Sequence, residues 1–213
     1  METSSALSGT KDRIVWRSGV VVAAALALGV LTAYAQGWLP QRMGSLANST
    51  GSWVLEACAL SLLATSDRLA AVFGCASLLG LLVGYVLGVQ MLGYPSSHSM
   101  VLFWGGAALL AGPLLGVSAY WVKTRRDVRA AIGVGVVSGV LVGEGIYGLT
   151  RIADTTYPPY WWGEIVVGLV LLLAVAWRRL VGFRALAVSV ALTVLVALAF
   201  VAVYSRGPLA FLP

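Results

Sequence analysis

Charge is scarce in this chain. Only 10% of its 213 residues are Asp, Glu, Lys or Arg, while 60% are hydrophobic and mean hydropathy is +0.92. A soluble domain carries about 25% charged residues, so a surface facing water is excluded and one facing lipid is expected. Histidine is scarcer still: His98 stands alone, which rules out a histidine-rich metal centre. The two cysteines, Cys58 and Cys75, lie inside apolar runs and far from a C-x-x-C spacing. They read as small hydrophobes and do not report on redox compartment. No phosphate loop, nucleic-acid module or soluble domain is legible, and nothing specifies a cofactor.

What is present is a series of apolar runs, at about 19–35, 53–66, 69–92, 99–122, 128–150, 160–177 and 184–204. Most are long enough for a hydrocarbon core about 30 Å thick, and 53–66 is the short one. The fold class expected is therefore all-α, a polytopic membrane bundle over 19–205. Residues 1–18 are expected as a disordered cytoplasmic tail and 206–213 as a short outer tail. The first run also mimics a secretory signal, with a basic flank and Ala33-Tyr34-Ala35 behind it.

The formal charge of +6 is explained by topology rather than by nucleic acid. If the N-terminus is inside and 53–66 crosses, eleven of the fourteen Lys and Arg residues fall on inner segments, leaving Arg42, Arg151 and Arg206 outside. Removing 53–66 as a crossing would place the four cations of 123–129 outside. The positive-inside rule thus favours seven crossings, N-in and C-out.

The stretch 143–164, GEGIYGLTRIADTTYPPYWWGE, concentrates the unusual chemistry. Glu144 lies within an apolar run, with Tyr147 and Arg151 on the same helix face at i+3 and i+7. A charge near a bilayer's centre costs about 2.5–3.5 kcal/mol on insertion scales. Near a helix C-terminus the macrodipole adds to that cost, so Glu144 needs a cation, a proton or a ligand. Arg151 is its nearest cation in sequence. Glu56 and Glu164 are placed in the first turns of their helices, where free N–H groups favour an anion. With the N-in orientation, Gln36, Gln90, Glu56, Glu144 and Glu164 all fall at outer ends, amid an aromatic group that includes Trp161. Asp154 lies in the connector. Polar groups in such places face a bundle interior or a water-filled cavity. Asn48-Ser49-Thr50 matches the glycosylation pattern, and Asp67 is placed as the N-cap of the third long run. Glycines recur at four-residue spacing, at 80, 84 and 88 and at 135, 139 and 143, where helix backbones can approach closely.

At QGWLP, SLANSTGSW, LVGEGIYGL and DTTYPPYWW the chain resembles a family of small actinobacterial integral membrane proteins classed as a domain of unknown function. That resemblance spans roughly 19–178. It implies a bacterial inner-membrane protein and carries no activity, cofactor or catalytic residue. The residues themselves support three readings. One is a binding or transport component with an outward-facing, carboxylate-lined pocket for a small solute or cation. A second is a membrane enzyme acting on a lipid or isoprenoid at the outer leaflet, with paired carboxylates or Ser96/Ser97–His98 as candidate chemistry. A third is a structural or regulatory partner in a membrane complex, docking another helix through the glycine ladders.

Overall fold

The computed structural model describes the backbone of residues 2–206 and side chains from Asp12 to Arg206. Among these residues every regular element is helical: α1 (Glu2–Trp38), α2 (Gly44–Asn48), α3 (Thr50–Ser61), α4 (Asp67–Met91), α5 (His98–Thr124), α6 (Val128–Arg151), α7 (Pro158–Arg179) and α8 (Phe183–Ser205), with a 3-10 turn at Gln41–Met43. Six of them are long and apolar enough to cross a membrane: α4 to α8 and the Asp12–Trp38 part of α1. The chain therefore has the build of a multi-pass membrane protein. Residues 2–18, expected as an unstructured tail, continue α1 helically; a long helix has already met the nucleation cost and extends at little further expense. The expected outer tail lies beyond the described residues, apart from Arg206.

The expected run at 53–66 is the exception to the span lengths. Its helix, α3, has twelve residues, about 18 Å at 1.5 Å per residue, and is not long enough to span. It nevertheless lies in the middle of the core. Val54, Ala57 and Cys58 pack with Ala25 of α1, Leu78 and Leu81 of α4, Leu115 of α5 and Val137 of α6.

Packing registers fix the direction of each helix. Gly80, Gly84 and Gly88 of α4 face Ala25, Leu26 and Ala33 of α1 in the same order, so α1 and α4 run parallel. The chain must therefore return from one end of the bundle to the other between residues 39 and 66. α3 is that return path. Gly74 and Gly116 bring α4 and α5 together antiparallel, and Gly145 and Gly168 do so for α6 and α7. Gly135, Gly139 and Gly143 face Ser189, Thr193 and Ala197 of α8, again in the same order, so α6 and α8 run parallel. α6 is the most buried of the six long helices. At Gly84 and Gly116 an added Cβ would run into the carbonyl oxygens of Leu26 and Ala70, so only glycine allows this approach.

Opposite ends of the bundle differ in chemistry. At one end, cations close the α3–α4 link: Lys123 Nζ donates to Leu62 O at 2.7 Å and Arg17 to Leu63 O at 3.2 Å. Arg179 donates to Lys123 O at 2.8 Å, and Arg125 lies 3.9 Å from Asp67. Asp67 is not the α4 cap. Ser66 is, its hydroxyl accepting from Leu69 N at 3.2 Å, because the helix starts at Asp67 itself, ahead of the apolar run that opens at residue 69.

Gly84→Ala is expected to lower the thermal unfolding temperature in detergent, by an amount worth about 1–3 kcal/mol of overpacking. Gly106→Ala, where an added Cβ meets nothing within 4 Å, is the control. It should be neutral or stabilising by up to about 1 kcal/mol from helix propensity.

Candidate functional site

The N-terminus of α3 ends inside the protein, and its free N–H groups dictate what surrounds it. Ser49 is the N-cap, its hydroxyl accepting from Ser52 N at 3.3 Å. Thr50 N donates to Glu144 Oε1 at 2.7 Å, and Gly51 N donates to Glu144 Oε2. All three first-turn amides are thus satisfied, two of them by a carboxylate from α6. The positive end of the α3 dipole and the Glu144 charge stabilise each other.

A second carboxyl meets the same hydroxyl. Ser49 Oγ lies 3.1 Å from Glu144 Oε2 and 3.1 Å from Glu164 Oε1 of α7. Glu144 and Glu164 are only 5% and 7% exposed, and Glu164 Oε2 is buried with no partner. Gly51 makes room for the pair, since a Cβ there would overlap Glu164 Oε1. Around this centre the polar contacts continue. Thr50 Oγ1 pairs with Tyr204 OH at 2.5 Å, Ser52 Oγ with Tyr160 OH at 3.3 Å, and Tyr147 meets the Tyr204 ring edge-on at 5.5 Å.

On its other side, the Ser49–Thr50 corner forms part of the wall of a cavity of about 480 Å³ between α1, α3, α4 and α5. Its deep part is apolar, with Leu78, Leu82, Ala108, Ala111 and Leu115, and Trp53 and Trp104 form walls. Its polar groups are neutral: Gln36, Asn48, Tyr85, Ser96 and Ser97 beside the Ser49–Thr50 corner. Gln36 ties this rim together, donating to Ala47 O at 3.3 Å and Asn48 Oδ1 at 2.5 Å and accepting from Tyr85 OH at 3.2 Å. Among the described residues no charged side chain lines the cavity.

The residues singled out in the sequence therefore separate. Glu144 and Glu164 come together, and Gln36 reaches the cavity. Arg151, Asp154 and Gln90 are exposed, and Arg151 is not the partner of Glu144. That carboxylate turns to backbone amides in a different helix, which the local spacing cannot reveal. Neither Glu164 nor Glu56 lies in a first turn, because both helices begin earlier than their apolar patterns. Pro158 starts α7, where a proline's missing N–H costs nothing. Ser49 starts α3 in the same way as an N-cap. Glu56 is half-buried with one unpartnered oxygen and takes no part in the Ser49 cluster. Trp161 is a wedge between helices: its ring covers Gly148 and its Nε1 donates to Thr156 Oγ1 at 2.8 Å. Ser49, Thr50 and Tyr204 were absent from the sequence candidates. The N-cap pattern of Ser49 followed by Ser52 was the available signal for the first two.

Glu144→Gln is expected to destabilise the protein by about 1.5–3 kcal/mol, the worth of hydrogen bonds to a charged group. An amide can accept from only one of the two α3 N–H groups and turns a donor toward the other. Thermal unfolding in detergent would show this beside Asp154→Asn, an exposed control expected to stay within about 0.5 kcal/mol.

No curated protein and no solved structure matches the chain. A family model described as a family of unknown function, DUF6518, matches residues 8–208, nearly the whole length, and so includes every helix that builds the cavity and the carboxyl pair. The chain belongs to that family.

Proposed function

We propose that this protein is a binding or transport component of the cell membrane that takes up an uncharged amphipathic molecule, with an apolar body and one polar end, in the cavity between α1, α3, α4 and α5. The observation that carries this reading is the chemistry of the cavity wall: apolar in depth, neutral and hydrogen-bonding at the rim, and free of charge. A cation would find no carboxylate there, because both buried carboxyls sit behind the Ser49–Thr50 corner. The size suits a small ligand, since binding cavities run from about 300 to 1,000 Å³.

In the same reading the chain crosses the membrane seven times, with the N-terminus in the cytoplasm. The parallel course of α1 and α4 supports this, as does the gathering of Arg17, Lys123, Arg125 and Arg179 at one end of the bundle. α3 with its flanking segments is then a broken crossing. Broken helices that end inside a bundle are the usual builders of binding sites in transporters. The cavity rim lies at the outer end.

Binding is favoured over catalysis because neither Glu144 nor Glu164 lines the cavity, and of the Ser96/Ser97–His98 stretch only the two serines do, without the histidine that would activate them. Docking of another helix through the glycine ladders is disfavoured too, since those glycines already face α1 and α8.

A diazirine-bearing long-chain alcohol, photolysed with the protein in phosphatidylcholine vesicles, should label α4 and α5 at the cavity wall in preference to the lipid face of α7. Ala111→Phe should cut the α4/α5 labelling several-fold and leave the α7 labelling unchanged. Equal labelling of both faces, or labelling unaffected by Ala111→Phe in a folded protein, would refute the cavity as the binding site.

A further inference from the structure

We propose that Glu144, Ser49 and Glu164 form a binding site for one exchangeable proton, held between α3, α6 and α7. The argument rests on counting donors. A serine hydroxyl offers one proton and two lone pairs. Ser49 Oγ accepts from Ser52 N and faces a carboxyl oxygen on each side at 3.1 Å. With both carboxyls ionised, one of those contacts would set lone pair against lone pair. With a proton on Glu164 Oε1, every position is used: Glu164 donates to Ser49, and Ser49 donates to Glu144. Glu144 is then the ionised member, accepting from Thr50 N, Gly51 N and Ser49.

The unpartnered oxygen of Glu164 fits the same assignment. Burying a neutral carbonyl oxygen without a partner costs far less than burying an unpaired carboxylate. A metal cation is a poor occupant, because both oxygens of Glu144 already face amide hydrogens. The other ionisable groups near the pair are Tyr160 of α7 and Tyr204 of α8, which hydrogen-bond Ser52 and Thr50, and Tyr147 of α6, which packs on the Tyr204 ring; none supplies a positive charge. Among the described residues no Lys, Arg or His hydrogen-bonds or ion-pairs with either carboxyl.

Losing the proton has a structural consequence. The α3 N-terminus compensates Glu144 alone, so an ionised Glu164 must draw in water or move away, loosening α7 from α3. Because Ser49 and Thr50 also wall the cavity, that movement would reach the binding site, a link that rests on the cavity reading above. The sign for stability follows from linkage. The folded protein holds a proton at this site that the solvated glutamate of the unfolded chain does not. Stability therefore falls as pH rises through the release of that proton.

The test uses the full chain in phosphatidylcholine vesicles, in a Glu56→Gln background to remove the other part-buried carboxyl. At neutral pH the infrared spectrum should show a protonated-carboxyl C=O band that shifts in D2O. Alkaline titration should abolish the band and lower the unfolding temperature in parallel. Glu164→Gln, whose amide supplies a permanent donor to Ser49, should lack the band and the alkaline loss of stability. Absence of the band at neutral pH, its persistence in Glu164→Gln, or its removal by Na+ at constant pH would overturn the proposal. Should Glu164→Gln fail to fold, the pair of titrations on the Glu56→Gln protein decides alone: a band and a stability that change at separate pH values overturn it. Ala111→Phe blocks the cavity and should leave the band intact, so failure of the cavity reading and failure of the proton site give different results.

Discussion

A helix that ends inside an apolar bundle must bring its own solution for the amides of its first turn, because no water is there to meet them. α3 is such a helix, and the arrangement around it follows from that need. At its N-terminus, Glu144 and Ser49 take up the amides of Thr50, Gly51 and Ser52. Just beyond its C-terminus, Lys123 and Arg17 donate to the carbonyls of Leu62 and Leu63. An anion at the positive end and cations near the negative end both act with the helix dipole. One short helix thereby links α1, α5 and α6 by polar contacts, on top of the packing of Val54, Ala57 and Cys58.

Close backbone approach makes this possible. α6 can be the most buried long helix because Gly135, Gly139 and Gly143 let α8 lie against it, while Gly145 and Gly148 admit Ile165 and Trp161 of α7. Glu144 thus occurs on a helix held on several sides, which fixes its carboxylate on the α3 amides without a long flexible approach. Gly51 does the same for Glu164. The cavity lies on the opposite side of the Ser49–Thr50 corner, so the buried charge and the uncharged pocket share one wall.

Much of the fold is legible in the residue pattern. The five long runs from 69 to 204 differ from α4 to α8 by only a few residues at either end, because hydropathy over some twenty residues is a strong local signal. Errors arise where polar residues begin a helix. Ser49-Thr50-Gly51-Ser52 reads as loop, yet its last three residues are the first turn of α3; Pro158-Pro159 reads as connector, yet it opens α7. These displaced starts moved Glu56 and Glu164 out of the first turns where they were expected. The pairing of Glu144 with Arg151 fails for a related reason: sharing a helix face is local, but Arg151 is exposed where Glu144 is buried.

By itself the sequence determined that most of this chain belongs in lipid, which residues carry rare charge there, and that each such charge needs a partner, since all three depend on composition and on the cost of desolvation. Only the tertiary structure decided who the partners are. Glu144 and Thr50 are 94 positions apart, and Glu164 and Ser49 115 apart, so their meeting is set by the parallel and antiparallel packing of whole helices. No periodicity within a single run carries that information.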